Sequence, residues 1–315
     1  MRFLLIAVFF VSVANAQDFP NKPVRFVTGA AAGSSGDILA RVLGDHLSTA
    51  WKQPVIIDNR PGGGGTISGQ ALSGAPADGH SVWIAAGSYL TITPATMASM
   101  PYDLDRDFTP LAFIAEIPLV IGARAGAPFR TLQELIAYAK ANPGKVNYAA
   151  NTPGTFPNLA TEYFAERAQI KLTFVPYKGT APALQDILGG RLDMAVEGVG
   201  PYIAAIKAGQ LVPLAVTSER RDPTLPDVPA VAETVPGYSA IGFYAALAHA
   251  KTPEPLSARL SADLRAALAQ PAIAKRYADM GFYVKAMTRE EVAAFVRKER
   301  DIWGGVVKRT GFAPR

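Results

Sequence analysis

The sequence predicts an α/β protein of two lobes, each a mostly parallel sheet flanked by helices. Three observations predict it. Short apolar runs alternate with stretches of helical spacing, the length of 315 residues suits two domains, and no low-complexity linker interrupts the pattern. Strands that alternate with helices imply parallel sheets covered on both faces. We therefore expect two such lobes, joined by closely spaced crossings of the chain.

The first sixteen residues have the composition of a secretory signal. Arg2 supplies a positive start, residues 3–13 are apolar except for Ser12, and residues 14–16 read Ala-Asn-Ala, a cleavage signal. The apolar run is shorter than the roughly 20 residues that a membrane-spanning helix needs. We expect a signal peptide over residues 1–16, cleaved after Ala16. A buried N-terminal strand or helix is the alternative interpretation.

The next hundred residues open with a β-α-β-α-β order. Val24 to Thr28 predicts a strand, and from Asp37 apolar residues recur at helical spacing. Further strands are predicted at 55–57 and 81–86. The glycines at 62–65 lack the Lys-Ser/Thr pair of a phosphate-binding loop and predict a tight turn.

The middle of the chain repeats this alternation, and the tail is helix-rich. Capping boxes at Thr131 and Thr288 each predict the start of a helix. The other predicted helices are 158–167, 181–188, 202–208, 257–270 and 272–280. The predicted strands are 146–150, 172–177, 192–196, 211–217 and an edge strand at 282–285.

Composition argues against several classes of function. The formal net charge is +5, but the lysines and arginines are spread along the chain and form no dense basic block. We therefore expect no nucleic-acid partner. His46, His80 and His249 are in no metal-ligand spacing, and residues 103–107 lack the glycine of a calcium loop, so we predict no metal and no cofactor. Without cysteine or a G-x-S-x-G elbow, we predict no catalytic residues and no enzyme. A hydrolase or isomerase on the same fold is the alternative.

Loops at the carboxyl ends of the predicted strands are the expected binding region, because backbone amides and helix N-termini meet there. The loop 29–36 is nearly bare of side chains, and the loop 151–158 carries hydroxyls. Two such loops facing each other would grip both ends of a dicarboxylate. The predicted ligand-binding residues are Ala30, Ala31, Gly33, Ser34, Ser35, Asp37, Ser88, Tyr89, Thr152, Thr155, Phe156, Asn158, Lys178, Gly179, Thr180, Glu197 and Phe243.

Several separate segments follow a known family pattern. They include Gly36-Asp37, Asp58-Asn59-Arg60-Pro61-Gly62, Pro101-Tyr102-Asp103, Val175-Pro176-Tyr177-Lys178-Gly179 and Leu225-Pro226-Asp227-Val228-Pro229. In order and spacing they resemble the substrate-binding proteins of tripartite tricarboxylate transporters, often called Bug-type receptors. The resemblance runs from about residue 19 to residue 311.

The resemblance implies a two-lobed periplasmic binding fold, type II-like, that closes its cleft over a small carboxylate. The implied ligands are di- or tricarboxylic or aromatic acids, and the implied partner is the membrane permease of a tripartite tricarboxylate transporter. A sensor kinase's periplasmic domain is the alternative partner. We expect lobe 1 to comprise 17–122 and 225–315 and lobe 2 to comprise 123–224, with hinge candidates at 119–122 and after Thr217.

Overall fold

The computed structural model describes residues 19–150, 154–177 and 180–311. The predicted signal peptide and the predicted ligand-binding residues Thr152, Lys178 and Gly179 lie outside these ranges. Among the helices described, none is both long enough and apolar enough to cross a membrane.

Nine strands and twelve α-helices form within the described ranges. The strands are β1 (Val24–Thr28), β2 (Val55–Asn59), β3 (Ser81–Ala86), β4 (Phe108–Arg124), β5 (Asn147–Ala150), β6 (Thr173–Pro176), β7 (Met194–Gly198), β8 (Leu211–Val216) and β9 (Ile241–His249). The helices are α1 (Ser35–Trp51), α2 (Thr66–Ser73), α3 (Gly87–Thr91), α4 (Thr93–Thr96), α5 (Leu104–Asp107), α6 (Leu132–Ala141), α7 (Phe156–Ala168), α8 (Thr180–Leu188), α9 (Val199–Lys207), α10 (Glu254–Leu268), α11 (Pro271–Ala278) and α12 (Arg289–Arg309). Both predicted capping boxes are confirmed, at the starts of α6 and α12.

The strands form two sheets that share β4. In the first, β1 is parallel to β2 and β3, and β9 runs antiparallel between β3 and β4. In the second, β5 is parallel to β6 and β7, and β4 is antiparallel to β7 and β8. The two-lobed α/β fold is confirmed. Each sheet keeps a parallel part and adds antiparallel strands on the side where the lobes join.

Strand β4 belongs to both lobes. Residues 108–118 pair with β9, whereas 119–124 pair with β7 and β8. Most of its residues are buried, so it lacks the alternation of polar and apolar residues that identifies a half-buried strand. The hinge candidate at 119–122 lies where β4 passes from one sheet to the other, and the register with β8 shifts between Ile121 and Gly122.

The predicted edge strand at 282–285 is wrong. Tyr283 forms a single bridge with Glu116 of β4, with backbone hydrogen bonds of 3.0 and 2.8 Å. The side chain of Lys285 pairs with the Glu116 carboxylate at 2.7 Å, but the backbone on either side of Tyr283 forms no further ladder with β4 in the described residues.

Buried apolar clusters show which segments pack with which sheet. Leu225 and Val228 join a second-sheet cluster with Ala195, and Val235 joins another with Met194. Helix α12 contributes to both lobes, with Val296 in a first-lobe cluster and Trp303, by contrast, in a second-lobe cluster. We therefore propose that lobe 2 extends from about residue 119 to about residue 240, further than the boundary expected at 224.

Candidate ligand-binding cleft

A cavity of about 240 Å³ lies between the lobes, where helices α1, α3, α7 and α9 begin. Its wall combines backbone at these helix starts with apolar side chains. The first lobe lines it with Ser35, 86–88, Ile117, 242–244 and 280–282, and the second lobe with Leu119, Phe156, Pro157 and 197–201.

Asp37 holds the first loop in shape from inside the protein. Its Oδ2 accepts hydrogen bonds from Gly33 N (2.8 Å) and Arg41 Nε (2.9 Å), and its Oδ1 accepts one from Asn59 Nδ2 (2.9 Å). Burial pushes the pKa of Asp37 up, but the hydrogen bonds from Arg41, Gly33 and Asn59 outweigh it and hold the pKa below its usual value. The carboxylate is therefore ionised at neutral pH, and its hydrogen bonds hold the first loop in place.

Most of the first-loop residues predicted to bind ligand are not part of the cavity wall. Ala30 is buried, and its carbonyl accepts a hydrogen bond from Asn59 Nδ2 at 3.0 Å. Ala31, Gly33 and Ser34 are exposed, and the Ser34 hydroxyl donates to the carbonyl of Ala31 at 2.7 Å. Their part in ligand binding stays a prediction; from this loop the cavity wall contains Ser35.

Aromatic side chains flank the cavity and are positioned by packing. Phe243 stacks on Phe113 with ring centroids 5.6 Å apart, and Phe156 meets Trp303 edge to face at 5.2 Å. Predicted residue Tyr89 lies beside the cavity wall and packs so close to Gly65 that a Cβ there would lie within 2.1 Å of its ring. Ser88 lines the cavity itself.

The second-lobe wall contains one carboxylate, that of Glu197. Its Oε2 accepts a hydrogen bond from the hydroxyl of Thr180 (2.8 Å), and its Oε1 accepts one from the backbone N–H of Gly198 (2.8 Å). These bonds bring the two predicted residues Thr180 and Glu197 together at the starts of α8 and α9.

Asn158 and Thr155 shape the second loop without lining the cavity. Asn158 is buried; its Oδ1 accepts from Gly154 N at 3.0 Å, and its Nδ2 donates to the Tyr148 hydroxyl at 2.8 Å. Tyr148 in turn donates to Glu162 Oε1 at 2.5 Å. Thr155 occupies the N-cap position of α7. Of the predicted residues that the structure describes, five line the cavity: Ser35, Ser88, Phe156, Glu197 and Phe243.

Sequence reasoning missed Tyr244, although it lies beside the start of α1. A Cβ on Gly36 would lie 2.5 Å from the Tyr244 hydroxyl, so the close approach depends on a glycine in the first turn of the helix. Burial raises the pKa of Tyr244, and Tyr89 adds to the effect, so the phenol stays neutral and able to donate a hydrogen bond. Gly36 was the one sign in the sequence that another group packs closely against the start of α1. It does not show that this group is Tyr244, which lies on the distant strand β9.

The described part of the cleft offers an anion helix starts and hydroxyl groups. The first amides of α1, α7 and α9 lack intrahelical partners, and helix N-termini carry partial positive charge. The hydroxyls of Ser35, Ser88 and Tyr244 add donors. Among the described residues that line the cavity there is no lysine, arginine or histidine.

The sequence matches a known protein family, and the fold is similar to those of several solved structures. The family model described as "Tripartite tricarboxylate transporter family receptor" matches residues 39–312. The structure of Rhodopseudomonas palustris Rpa4515 with adipate is similar, with a TM-score of 0.83 at 30% identity over 95% of this chain and 100% of that one.

Two further solved structures are similar over nearly the whole chain. The periplasmic binding protein BugD gives a TM-score of 0.78 at 29% identity, covering 94% of this chain and 100% of that one. MatC from Rhodopseudomonas palustris, solved with bound malate, gives 0.77 at 29% identity, covering 92% and 100%.

Proposed function

Because the chain belongs to the family of tripartite tricarboxylate transporter receptors, we propose that it captures a small carboxylate in the periplasm and delivers it to the membrane permease of such a transporter. The observation that carries the proposal is the cavity between the lobes, at which α1, α7 and α9 all begin. It is a binding function and requires no chemical step.

Helix starts and hydroxyls account for anion capture. Hydrogen bonds from neutral donors to a charged group contribute roughly 1.5–3 kcal/mol each, and a helix N-terminus adds about 0.3–1 kcal/mol. Water exclusion on closure strengthens these contacts, since charge interactions grow as the effective dielectric falls. Two related structures carry adipate and malate, both carboxylates, which supports the assignment of ligand class.

The proposed location rests on the N-terminal sequence. The positive start, apolar run and Ala-Asn-Ala signal over residues 1–16 support export with cleavage after Ala16. The similarity to the periplasmic binding protein BugD supports the same compartment. N-terminal sequencing of the exported protein tests the cleavage position.

A thermal-shift screen tests the ligand class. Mono-, di- and tricarboxylates are compared with the corresponding amides and with neutral sugars. An acid at 100 times its Kd should add about 2.7 kcal/mol to the free energy of unfolding, and the amides should add little. A response to sugars and amides with none to acids would refute carboxylate capture.

Co-purification with the permease tests delivery. Immobilised receptor should retain the detergent-solubilised permease more strongly when its ligand is present, because closure changes the surface that the permease contacts. Retention that is the same with and without ligand would count against ligand-dependent docking.

A further inference from the structure

Tyr283 is bonded to both lobes. Its backbone pairs with Glu116 of β4, from Tyr283 N to Glu116 O at 3.0 Å and from Glu116 N to Tyr283 O at 2.8 Å. Its hydroxyl donates to Oδ1 of Asp222, in the second-lobe segment that follows β8, at 2.7 Å. Strand β4 passes from the first sheet to the second between Pro118 and Leu119. Tyr283 therefore spans the crossing, with its backbone on one side and its hydroxyl bonded on the other.

Asp222 is fixed within the second lobe. Its Oδ1 accepts hydrogen bonds from the N–H and the hydroxyl of Thr224, at 2.7 and 2.5 Å, and its carbonyl accepts one from Leu225 N at 2.9 Å. Leu225 packs in a second-lobe cluster. The Asp222 side chain is buried, and its Oδ2 has no hydrogen-bond partner among the described residues. Because a buried carboxylate needs donors, the one that Tyr283 supplies from the other lobe is costly to lose.

The chemistry of the pair favours a strong bond. Burial raises the pKa of Tyr283 to about 12, and the bond to Asp222 adds to the rise, so the phenol keeps its proton at neutral pH. A hydrogen bond to a carboxylate is roughly twice as strong as one between neutral groups. The Tyr283–Asp222 bond therefore contributes more to holding the lobes together than a bond between neutral side chains would.

The face of the hinge that carries this bond is loosely packed. A cavity of about 700 Å³ lies between the lobes there, and both Tyr283 and Asp222 belong to its wall. Glu116 and Pro118 of β4 also line it, whereas Ile117, which alternates with them along the strand, lines the ligand cavity. Since successive side chains of a strand point to opposite faces, the two cavities lie on opposite sides of β4. The open space leaves room for the lobes to rotate about the hinge.

We propose that Tyr283 and Asp222 are positioning residues, which hold the lobes closed and so set the affinity for a ligand that they do not touch. By closed we mean the observed arrangement, in which the backbones of Gly200 and Gly281 meet across the ligand cleft. Neither Tyr283 nor Asp222 lines the ligand cavity.

The physical reason is that the bond belongs to one arrangement of the lobes. Rotation of the second lobe carries Asp222 with it, while the backbone bonds keep Tyr283 beside Glu116. A separation of the two oxygens by a further ~1 Å ends the hydrogen bond. Opening then costs this bond, and a ligand that binds the closed arrangement gains from it. The inference rests on the proposed function, because it concerns the affinity of the same cleft.

Tyr283→Phe tests the role, because it removes the hydroxyl and keeps the ring. With adipate, malate and benzoate as probes, Kd for the acid that binds wild type most tightly should rise roughly tenfold or more. Most of the rise should appear as faster dissociation, since release follows opening. Tyr238→Phe is the matched control. Its buried hydroxyl donates to the Ala160 carbonyl at 3.0 Å within the second lobe, and its loss should leave Kd unchanged.

A double-mutant cycle assigns the effect to the pair. In an Asp222→Ala background Tyr283→Phe should have no further effect on Kd, because the partner of the hydroxyl is already gone. If Asp222→Ala does not fold, Asp222→Asn takes its place. That variant keeps an acceptor for Thr224, and the effect of Tyr283→Phe on Kd should be smaller in it than in wild type, because the bond is then made to a neutral group.

The outcomes separate this inference from the proposed function. A Kd for Tyr283→Phe equal to that of wild type overturns the inference and leaves carboxylate capture standing. So does an effect of Tyr283→Phe that is the same in the wild-type and Asp222 backgrounds. If no acid binds wild type, the proposed function fails, and small-angle scattering of the ligand-free proteins decides the inference. A larger radius of gyration for Tyr283→Phe than for wild type supports it, and equal radii overturn it.

Discussion

Gly200 at the start of α9 and Gly281 after α11 meet backbone to backbone across the cleft. A Cβ on Gly200 would lie 2.5 Å from the carbonyl oxygen of Met280, and one on Gly281 would lie 3.0 Å from Gly200 N. Val199 packs in a second-lobe cluster and Phe282 in a first-lobe cluster, so the contact joins the lobes. We expect that opening of the cleft separates these two backbone segments.

Gly200→Ala should weaken ligand binding without unfolding the protein. The added methyl meets a backbone carbonyl, which cannot swing aside, so the lobes stop short of full closure. We expect about a tenfold or greater rise in Kd by calorimetry, since incomplete closure sacrifices roughly one good hydrogen bond.

The matched control is Gly304→Ala on α12, where a Cβ meets nothing within 4 Å. This change should leave Kd unchanged and raise stability slightly, because alanine favours a helix over glycine by up to about 1 kcal/mol. Equal Kd values for Gly200→Ala and wild type would show that the Gly200–Gly281 contact does not govern closure.

Tyr244→Phe should reduce affinity for a carboxylate while preserving the fold. Its hydroxyl lies beside the first turn of α1, where the ligand's charge is expected, and losing a donor to a charged group costs roughly 1.5–3 kcal/mol. Tyr277→Phe is the control. That buried hydroxyl donates to the Leu39 carbonyl at 2.8 Å, so its loss should lower the free energy of unfolding and leave the binding constant intact. If Tyr244→Phe bound the ligand like wild type while Tyr277→Phe bound it more weakly, Tyr244 would not be part of the binding site.

Asp37→Asn should destabilise the protein at neutral pH and make its free energy of unfolding less dependent on pH in acid. The folded-state pKa of Asp37 is lowered relative to the unfolded value of about 3.8. Its contribution is therefore present at neutral pH and is lost as pH falls through the lowered pKa. Urea unfolding at pH 7 should show a loss of about 1–3 kcal/mol, from hydrogen bonds to an ionised group.

As the pH falls below the unfolded-state pKa of about 3.8, the stability of Asp37→Asn should fall less than that of wild type, because the variant has no proton to take up at this position. Parallel pH profiles for the two proteins would contradict the role assigned to the ionised carboxylate.

Asn158→Leu should destabilise the second lobe. The change removes the acceptor of the partly buried Gly154 N and the amide that donates to the buried Tyr148 hydroxyl, which keeps its bond to Glu162, at a cost of roughly 1–3 kcal/mol. Urea unfolding measures it. Asn142→Leu is the comparison, since its side chain donates to the Tyr138 carbonyl at the end of α6, and we expect its loss to cost less. If the two variants lose stability equally, the buried network contributes nothing of its own.

Local sequence rules were enough for the alternation of strands and helices and for the region of the cleft. Capping boxes fixed the starts of α6 and α12, because a cap involves only residues three apart. The carboxyl-end rule led to Ser35, Ser88 and Glu197, since it depends only on where a strand passes into a helix. Each of these inferences concerns neighbours along the chain.

Tertiary structure decided which side chains face the cavity. Asp37 and Asn158 turn inward to hold their own loops, and Tyr244 reaches α1 from a strand two hundred residues away. The long antiparallel pairing of β4 with β9 and the contact of Gly200 with Gly281 join distant segments. Sequence patterns record burial and local propensity, whereas the direction of a side chain follows from how packed elements rotate against one another, and that depends on the whole core.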